Sequence, residues 1–183
     1  DPVPDLSGYS AQVSATDHIE LPGAKGMLTV WIGLAQNLPE AFHLLTEFAL
    51  LATPLDPFDP MEKAIQSFGH RWLTGTEHVH DDAQPEFEYA LSGEILAMTR
   101  VYASSNPAQH LLATKGAPEA VIDLCHLPAA QREAIQRQTQ AMAERGLRVL
   151  GVARGRWTGA PPAAGSMPLW PASQHDFDFE FLG

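Results

Sequence analysis

The sequence holds one cysteine, Cys125, which excludes an internal disulfide and fits a reducing compartment. It lacks any window near the roughly 18 consecutive apolar residues that a membrane-crossing helix requires. Residues 1–20 lack the charged start and apolar block of a secretory leader, so none is expected. Basic residues are few. Eleven Lys and Arg against 22 Asp and Glu give a net charge of −11 and a pI near 5.0, which argues against nucleic acid or an anionic membrane as partner. An anionic ligand would have to be held by a local basic pocket against the overall field. There is no Gly-rich P-loop and no dinucleotide fingerprint, so any bound nucleotide is held by other means. No internal repeat is visible.

What is present is ordinary globular composition: 183 residues, 45% apolar and 18% charged, enough for one well-cored domain. Residues 1–26 read as a loop-like segment, with prolines at 2, 4 and 22 and glycines at 8, 23 and 26; residues 27–183 read as the domain proper. Leu28 to Ile32 is partly β-branched and predicts a strand. Pro39 opens a helix to about Thr53, with Leu44, Leu45, Phe48 and Ala52 on one face. Asp59 is a good N-cap and Pro60 a good first residue for a second helix through Leu73. Phe87 to Leu91 alternates like a strand. Ala97–Ala103 and His110–Thr114 flank a turn at Ser104–Pro107, which predicts an antiparallel hairpin. Helices follow at 117–125 and from Pro128 to Arg145, with Ala134, Ile135, Ala141 and Met142 inward and Gly146 as the C′ residue. Leu147–Ala153 predicts a buried strand, 158–173 a Pro/Gly/Ala-rich loop, and Phe177, Phe179 and Phe181 a last strand. The order predicts an α+β fold, a largely antiparallel β-sheet flanked by helices.

Chemistry-bearing residues are sparse. Lys115 falls where the strand ending at Thr114 turns through Gly116 into a helix with Pro118 in its first turn. A lysine at such a corner suits an anionic ligand near helix N–H groups, and equally an ordinary surface position. Glu62 on a helix start is by itself a favourable dipole charge. Arg148, between Leu147 and Val149, alternates to the polar face of its strand. His78, His80, Asp81 and Asp82 lie close together and carry metal-ligating groups, but without the usual metal spacing they read as a polar solvated loop. No metal site is assigned, and a metal-dependent hydrolase built on them lacks a motif.

Five segments in order carry a resemblance. They are Asp59-Pro60-Met61-Glu62-Lys63-Ala64-Ile65; Met98-Thr99 with Val101-Tyr102; Lys115-Gly116-Ala117-Pro118-Glu119; Gly146-Leu147-Arg148-Val149-Leu150; and Phe179-Glu180-Phe181-Leu182-Gly183. Together they resemble the nucleotide-binding domain of bacterial-type cation-transporting P-type ATPases over about residues 39–183. The resemblance implies an ATP-binding role, with Mg in the parent protein, in which Glu62 faces the adenine, Lys115 and Gly116 lie in the pocket and Arg148 approaches the phosphates. It further implies ATP and ADP as ligands, the parent's phosphorylation and actuator domains as partners, a monomeric fragment, and the cytoplasmic side of a membrane protein.

Two departures stand out. Where most of the family stacks an aromatic ring on adenine, counting back from Met98 gives Leu91. Where the family often has basic residues before that methionine, this chain has Gly93, Glu94, Ile95 and Leu96. An aliphatic side chain covers a base face without a ring's quadrupole, so weak binding is expected. Tyr89 or Phe87 takes the place only if the register shifts by two or four. The phosphorylated Asp-Lys-Thr-Gly-Thr motif occurs nowhere in the sequence, so the expected role is to bind nucleotide and present its γ-phosphate elsewhere, without hydrolysis by this chain alone. The alternative is a domain of the same fold that has lost strong nucleotide binding and serves as a regulatory or interaction module.

Overall fold

The hairpin expected from the turn at 104–107 forms the centre of the molecule. In the computed structural model, which describes residues 38–80, 82–159 and 170–183 together with strand backbone at 12–13, 18–23 and 26–31, β5 (Ala97–Ala103) pairs antiparallel with β6 (Gln109–Gly116), Ala97 opposite Gly116 and Ala103 opposite His110. β4 (Phe87–Tyr89) adds outside β5. β7 (Gly151–Thr158) and β8 (Phe179–Phe181) add beyond β6, giving five strands in sequential order, each antiparallel to its neighbour. Helices α1 (His43–Leu51) and α2 (Pro60–Leu73) precede this sheet, and α3 (Pro118–Leu124) and α4 (Ala129–Glu144) lie between β6 and β7. The arrangement is α+β, as the order of sequence patterns predicts.

Alternation assigns the two faces. Ala97, Val101, Leu112 and Ala153 face α3, packing on Val121, Leu124, Phe177 and Phe179. Tyr102, Ala113 and Val152 face α1, packing on Phe48, Leu51 and Ala52. α2 reaches the fold through α1, where Phe68 and Leu73 meet Phe42 and Leu38. On the α3 face a buried polar set joins sheet and C-terminal segment: the Thr99 hydroxyl bonds Thr114 and donates to Gln174 Oε1 at 2.6 Å, and Gln174 Nε2 donates to the Ala97 carbonyl at 3.1 Å. On the α1 face β5 seizes the end of α1. Tyr102 Oη donates to the Leu51 carbonyl at 2.6 Å and Arg100 Nη1 to the Thr53 carbonyl at 3.1 Å.

Several boundaries differ from the sequence reading. The segment expected as loop at 1–26 contains β1 (Gln12–Val13) and β2 (His18–Gly23), which form a three-stranded antiparallel sheet with β3 (Gly26–Trp31). Pro22 and Gly23, taken as loop punctuation, close that hairpin, with Gly23 opposite Gly26. β7 starts at Gly151, not Leu147. Its last partner is Gly116, because Ala117 gives its N–H to the Leu96 carbonyl and Pro118 has none to offer. Gly146, at φ 79°, ends α4, and 147–150 run on unpaired with any strand. In α4, Ile135 and Met142 are buried, Ala134 is half-buried and Ala141 is exposed. Before β8, a 3-10 turn at Gln174–Asp176 is closed by a capping box between Ser173 and Asp176. The loop expected at 158–173 lies outside the described residues over 160–169.

Candidate functional site

Lys115 lies within β6, not beyond it. Its strand neighbours are Met98 on β5 and Val152 on β7, so its side chain rises from mid-sheet on the face that α1 and α2 cover. α2 begins where the sequence indicates: Asp59 accepts hydrogen bonds from the N–H groups of Met61 at 2.8 Å and Glu62 at 3.4 Å, and Pro60 occupies the first turn. That cap fixes Glu62, whose Oε1 accepts from Lys115 Nζ at 2.6 Å; Met98 Sδ is a second contact at 3.3 Å. The Lys115 side chain is 6% exposed and the Glu62 side chain 19%. Desolvation lowers the Lys115 pKa from its ordinary value, partly opposed by its hydrogen bond and charge attraction to Glu62. The corner geometry is therefore corrected in one respect: the ammonium engages a carboxylate on α2, not the N–H groups that start α3.

A second ion pair lies on the same sheet face. Arg100, on the same sheet face by alternation, donates to Glu88 from Nε at 2.9 Å and lies 2.7 Å from it through Nη2, with Glu88 and Arg100 directly opposed in the β4–β5 ladder. Arg100 and Glu88 both act on Lys115 through space. Sequence reasoning missed this pair because each residue looks like a solvated charge until strand register places them together.

The other expected residues fall around this core. Gly116 ends β6 buried, where an added Cβ would collide with the Leu96 carbonyl and Ala97; its bareness lets β5 and β6 close beside the lysine. Arg148 is exposed and lines a shallow, largely apolar cleft with Met61 and Ile65 of α2, Leu45 and Ala49 of α1, and Val152. Glu62 and Lys115 do not line that cleft, but Met61 adjoins Glu62 in sequence and Val152 opposes Lys115. Leu91 lies past the end of β4 and is 61% exposed; none of the described contacts joins it to the lysine. Tyr89, its possible substitute, packs on the α3-side core. Its hydroxyl donates to the Pro171 carbonyl at 2.7 Å, and burial pushes its pKa up to about 12. Leu96, one of the residues standing where the family often has basic ones, is 47% exposed, and its carbonyl accepts from the Ala117 N–H beside the lysine segment.

An α+β domain built on an antiparallel meander, with a lysine buried mid-sheet against a helix carboxylate, is the class that fold and site define. The chain belongs to the family described as P-type ATPase, cytoplasmic domain N, whose model matches residues 59–180, more than half of the sequence. The matched span contains Glu62, Leu91, Lys115, Gly116 and Arg148. No curated protein matches the sequence. Among the described residues no helix is long and apolar enough to cross a membrane.

Proposed function

We propose that this domain binds ATP for a cation-transporting P-type ATPase and presents the γ-phosphate to an aspartate in a phosphorylation domain outside this sequence. The observation that carries the reading is the Lys115–Glu62 pair. An ammonium held at low dielectric, with a depressed proton affinity, gains most from an incoming phosphate charge. The residues fit a nucleotide: one buried cation, one exposed cation at Arg148, an apolar cleft beside it, and two exposed aliphatic side chains, Leu91 and Leu96, to cover a base. In this reading Glu62 and Leu91 hold the base end, Lys115 and Gly116 the middle, and Arg148 the phosphates, which bring Mg²⁺ with them. The domain's share of catalysis is positioning, a large part of what phosphoryl transfer requires. The phosphorylation and actuator domains of the parent supply the rest.

Two observations favour a second reading, a regulatory or interaction module that has lost strong nucleotide binding. The ammonium is already partnered and only 6% exposed, and the expected ring is an aliphatic Leu91. Calorimetry and amide NMR with ATP distinguish the two. Saturable perturbation at millimolar ATP is expected around α2, β6 and 147–150. Replacing the pair with neutral groups of similar shape, Lys115→Met with Glu62→Gln, leaves no unpaired buried charge, so the double variant stays folded. It should bind ATP about tenfold more weakly, the loss of one charge-assisted contact worth ~1–2 kcal/mol. A folded double variant with undiminished affinity removes the lysine from the site, and no perturbation of the parent chain leaves the module reading.

A further inference from the structure

The turn before α1, α1 itself and the connection after α2 bring three potential metal ligands together on the side of the molecule where α1 begins. Glu40 lies in the 3-10 turn Glu40–Phe42, His43 is the first residue of α1, and His78 follows α2. One ligand atom from each lies within 4.8 Å of the other two, with His43 Nδ1 and Glu40 Oε2 at 3.6 Å. The two imidazoles meet edge to face, 5.1 Å between centroids and 73° between planes. Sequence spacing could not show this, since His43 and His78 are joined only by the packing of α1 and α2.

The hydrogen bonds behind the rings fix which nitrogen faces forward. His43 Nε2 lies 2.8 Å from the Leu38 carbonyl, which can only accept, so Nε2 carries the proton and Nδ1 presents its lone pair. His78 Nδ1 lies 2.7 Å from Glu47 Oε2, a carboxylate that accepts, so Nδ1 carries the proton and Nε2 keeps its lone pair for a metal ion. Glu47 is one helical turn beyond His43, and its other oxygen takes a bond from His80 Nε2 at 2.8 Å. The loop is held in turn: His78 N–H donates to Thr76 Oγ1 at 3.2 Å and Thr76 Oγ1 donates to the Leu73 carbonyl at 2.7 Å. A carbonyl or carboxylate behind each ring is the outer arrangement that orients imidazoles toward a metal ion and raises their basicity.

We propose that Glu40, His43 Nδ1 and His78 Nε2 form a surface site for a divalent first-row transition ion of the Zn²⁺ type. Two imidazoles and a carboxylate are a donor set for Zn²⁺ and a poor one for Mg²⁺ or Ca²⁺, which take oxygen ligands. Tetrahedral coordination at about 2.0–2.1 Å sets ligand atoms about 3.4 Å apart. The 3.6 Å pair is nearly there, and the Glu40 side chain, 90% exposed, is free to close the rest. Glu77 Oε1, 3.8 Å from His78 Nε2 on a side chain 86% exposed, is at hand as a fourth ligand, with water as the alternative. Bound metal would tie the start of α1 to the segment that follows α2. The inference is independent of the nucleotide reading, because none of these residues belongs to the Lys115 neighbourhood.

The test is a titration of the chelator-treated full chain with Zn²⁺, and with Co²⁺ for its visible absorption. One equivalent should bind, raise the melting temperature, and give the strong d–d bands of a four-coordinate Co²⁺ site. Glu40→Gln, exposed and harmless to the fold, and His43→Ala should each weaken binding at least tenfold. Glu47→Gln, which touches no metal, should weaken it ~10–100-fold through the imidazole it orients. Weak non-stoichiometric uptake, octahedral Co²⁺ spectra, or affinity unchanged in folded Glu40→Gln and Glu47→Gln would each overturn the assignment and leave a hydrogen-bonded clasp.

Discussion

A buried lysine and an exposed leucine divide the chemistry of the candidate site. Leu91 is 61% exposed, so a larger side chain there meets solvent and not a packed interior. Leu91→Phe should therefore leave thermal stability within about 0.5 kcal/mol of the parent. If Leu91 covers the base as proposed, the ring should also tighten ATP binding by the ~0.5–1.5 kcal/mol that offset stacking adds beyond area. Equal affinities in titration calorimetry would remove Leu91 from the base site. Tyr89 does not compete for the role, since its ring packs edge-on against Phe177 and its hydroxyl is engaged. Cys125 stays outside the chemistry as well: burial pushes its thiol up to about 12, leaving negligible thiolate near neutrality. Residue identities were legible where a motif fixed them, as with Lys115 and Glu62. Their contact was not, because 53 positions separate them and only strand register and the placing of α2 bring them together. Arg100 and Glu88 stayed hidden for the same reason.

At the scale of elements, α2 was readable from its first turn. Asp59 and Pro60 announce it, and the structure shows the Asp59 carboxylate bonded to two of the helix's orphan N–H groups. Asp59→Ala should cost about 1 kcal/mol, measured as a lower denaturant midpoint with an unchanged slope; an unaltered midpoint would mean that solvent replaces the cap without loss. The β5–β6 hairpin was equally legible, since its alternation and turn are local. Elements whose limits depend on a partner were not. The start of β7 is set by where β6 ceases to offer a ladder, which no feature of Leu147–Leu150 reveals. β2 was obscured because Pro22 and Gly23 signal turns whether they interrupt a loop or close a hairpin. The turn at Gln174–Asp176 carried its capping pair in plain view, yet the Phe177, Phe179, Phe181 alternation outweighed it.

For the whole molecule, the acidic balance of −11 places the burden of holding an anion on a few local cations, and the fold spends Arg100 on architecture. Together with Tyr102 it grips the carbonyl end of α1, a helix of nine residues whose last turn is otherwise closed only by Ala52 and Thr53 just beyond it. A helix so short is barely stable alone, and here the carbonyls of Leu51 and Thr53 are taken by a strand about fifty residues further along the chain. The order of assembly follows. α1 gains these two bonds only once β5 is in place, which puts them on the late, downhill side of the folding barrier. Tyr102→Phe should accordingly accelerate unfolding while leaving the refolding rate nearly unchanged, an outcome that stopped-flow chevrons decide; a matching slowdown in refolding would instead put α1 in the nucleus. A helix docked last is also the first to leave, so brief excursions of the native state should release α1 while the meander stays intact.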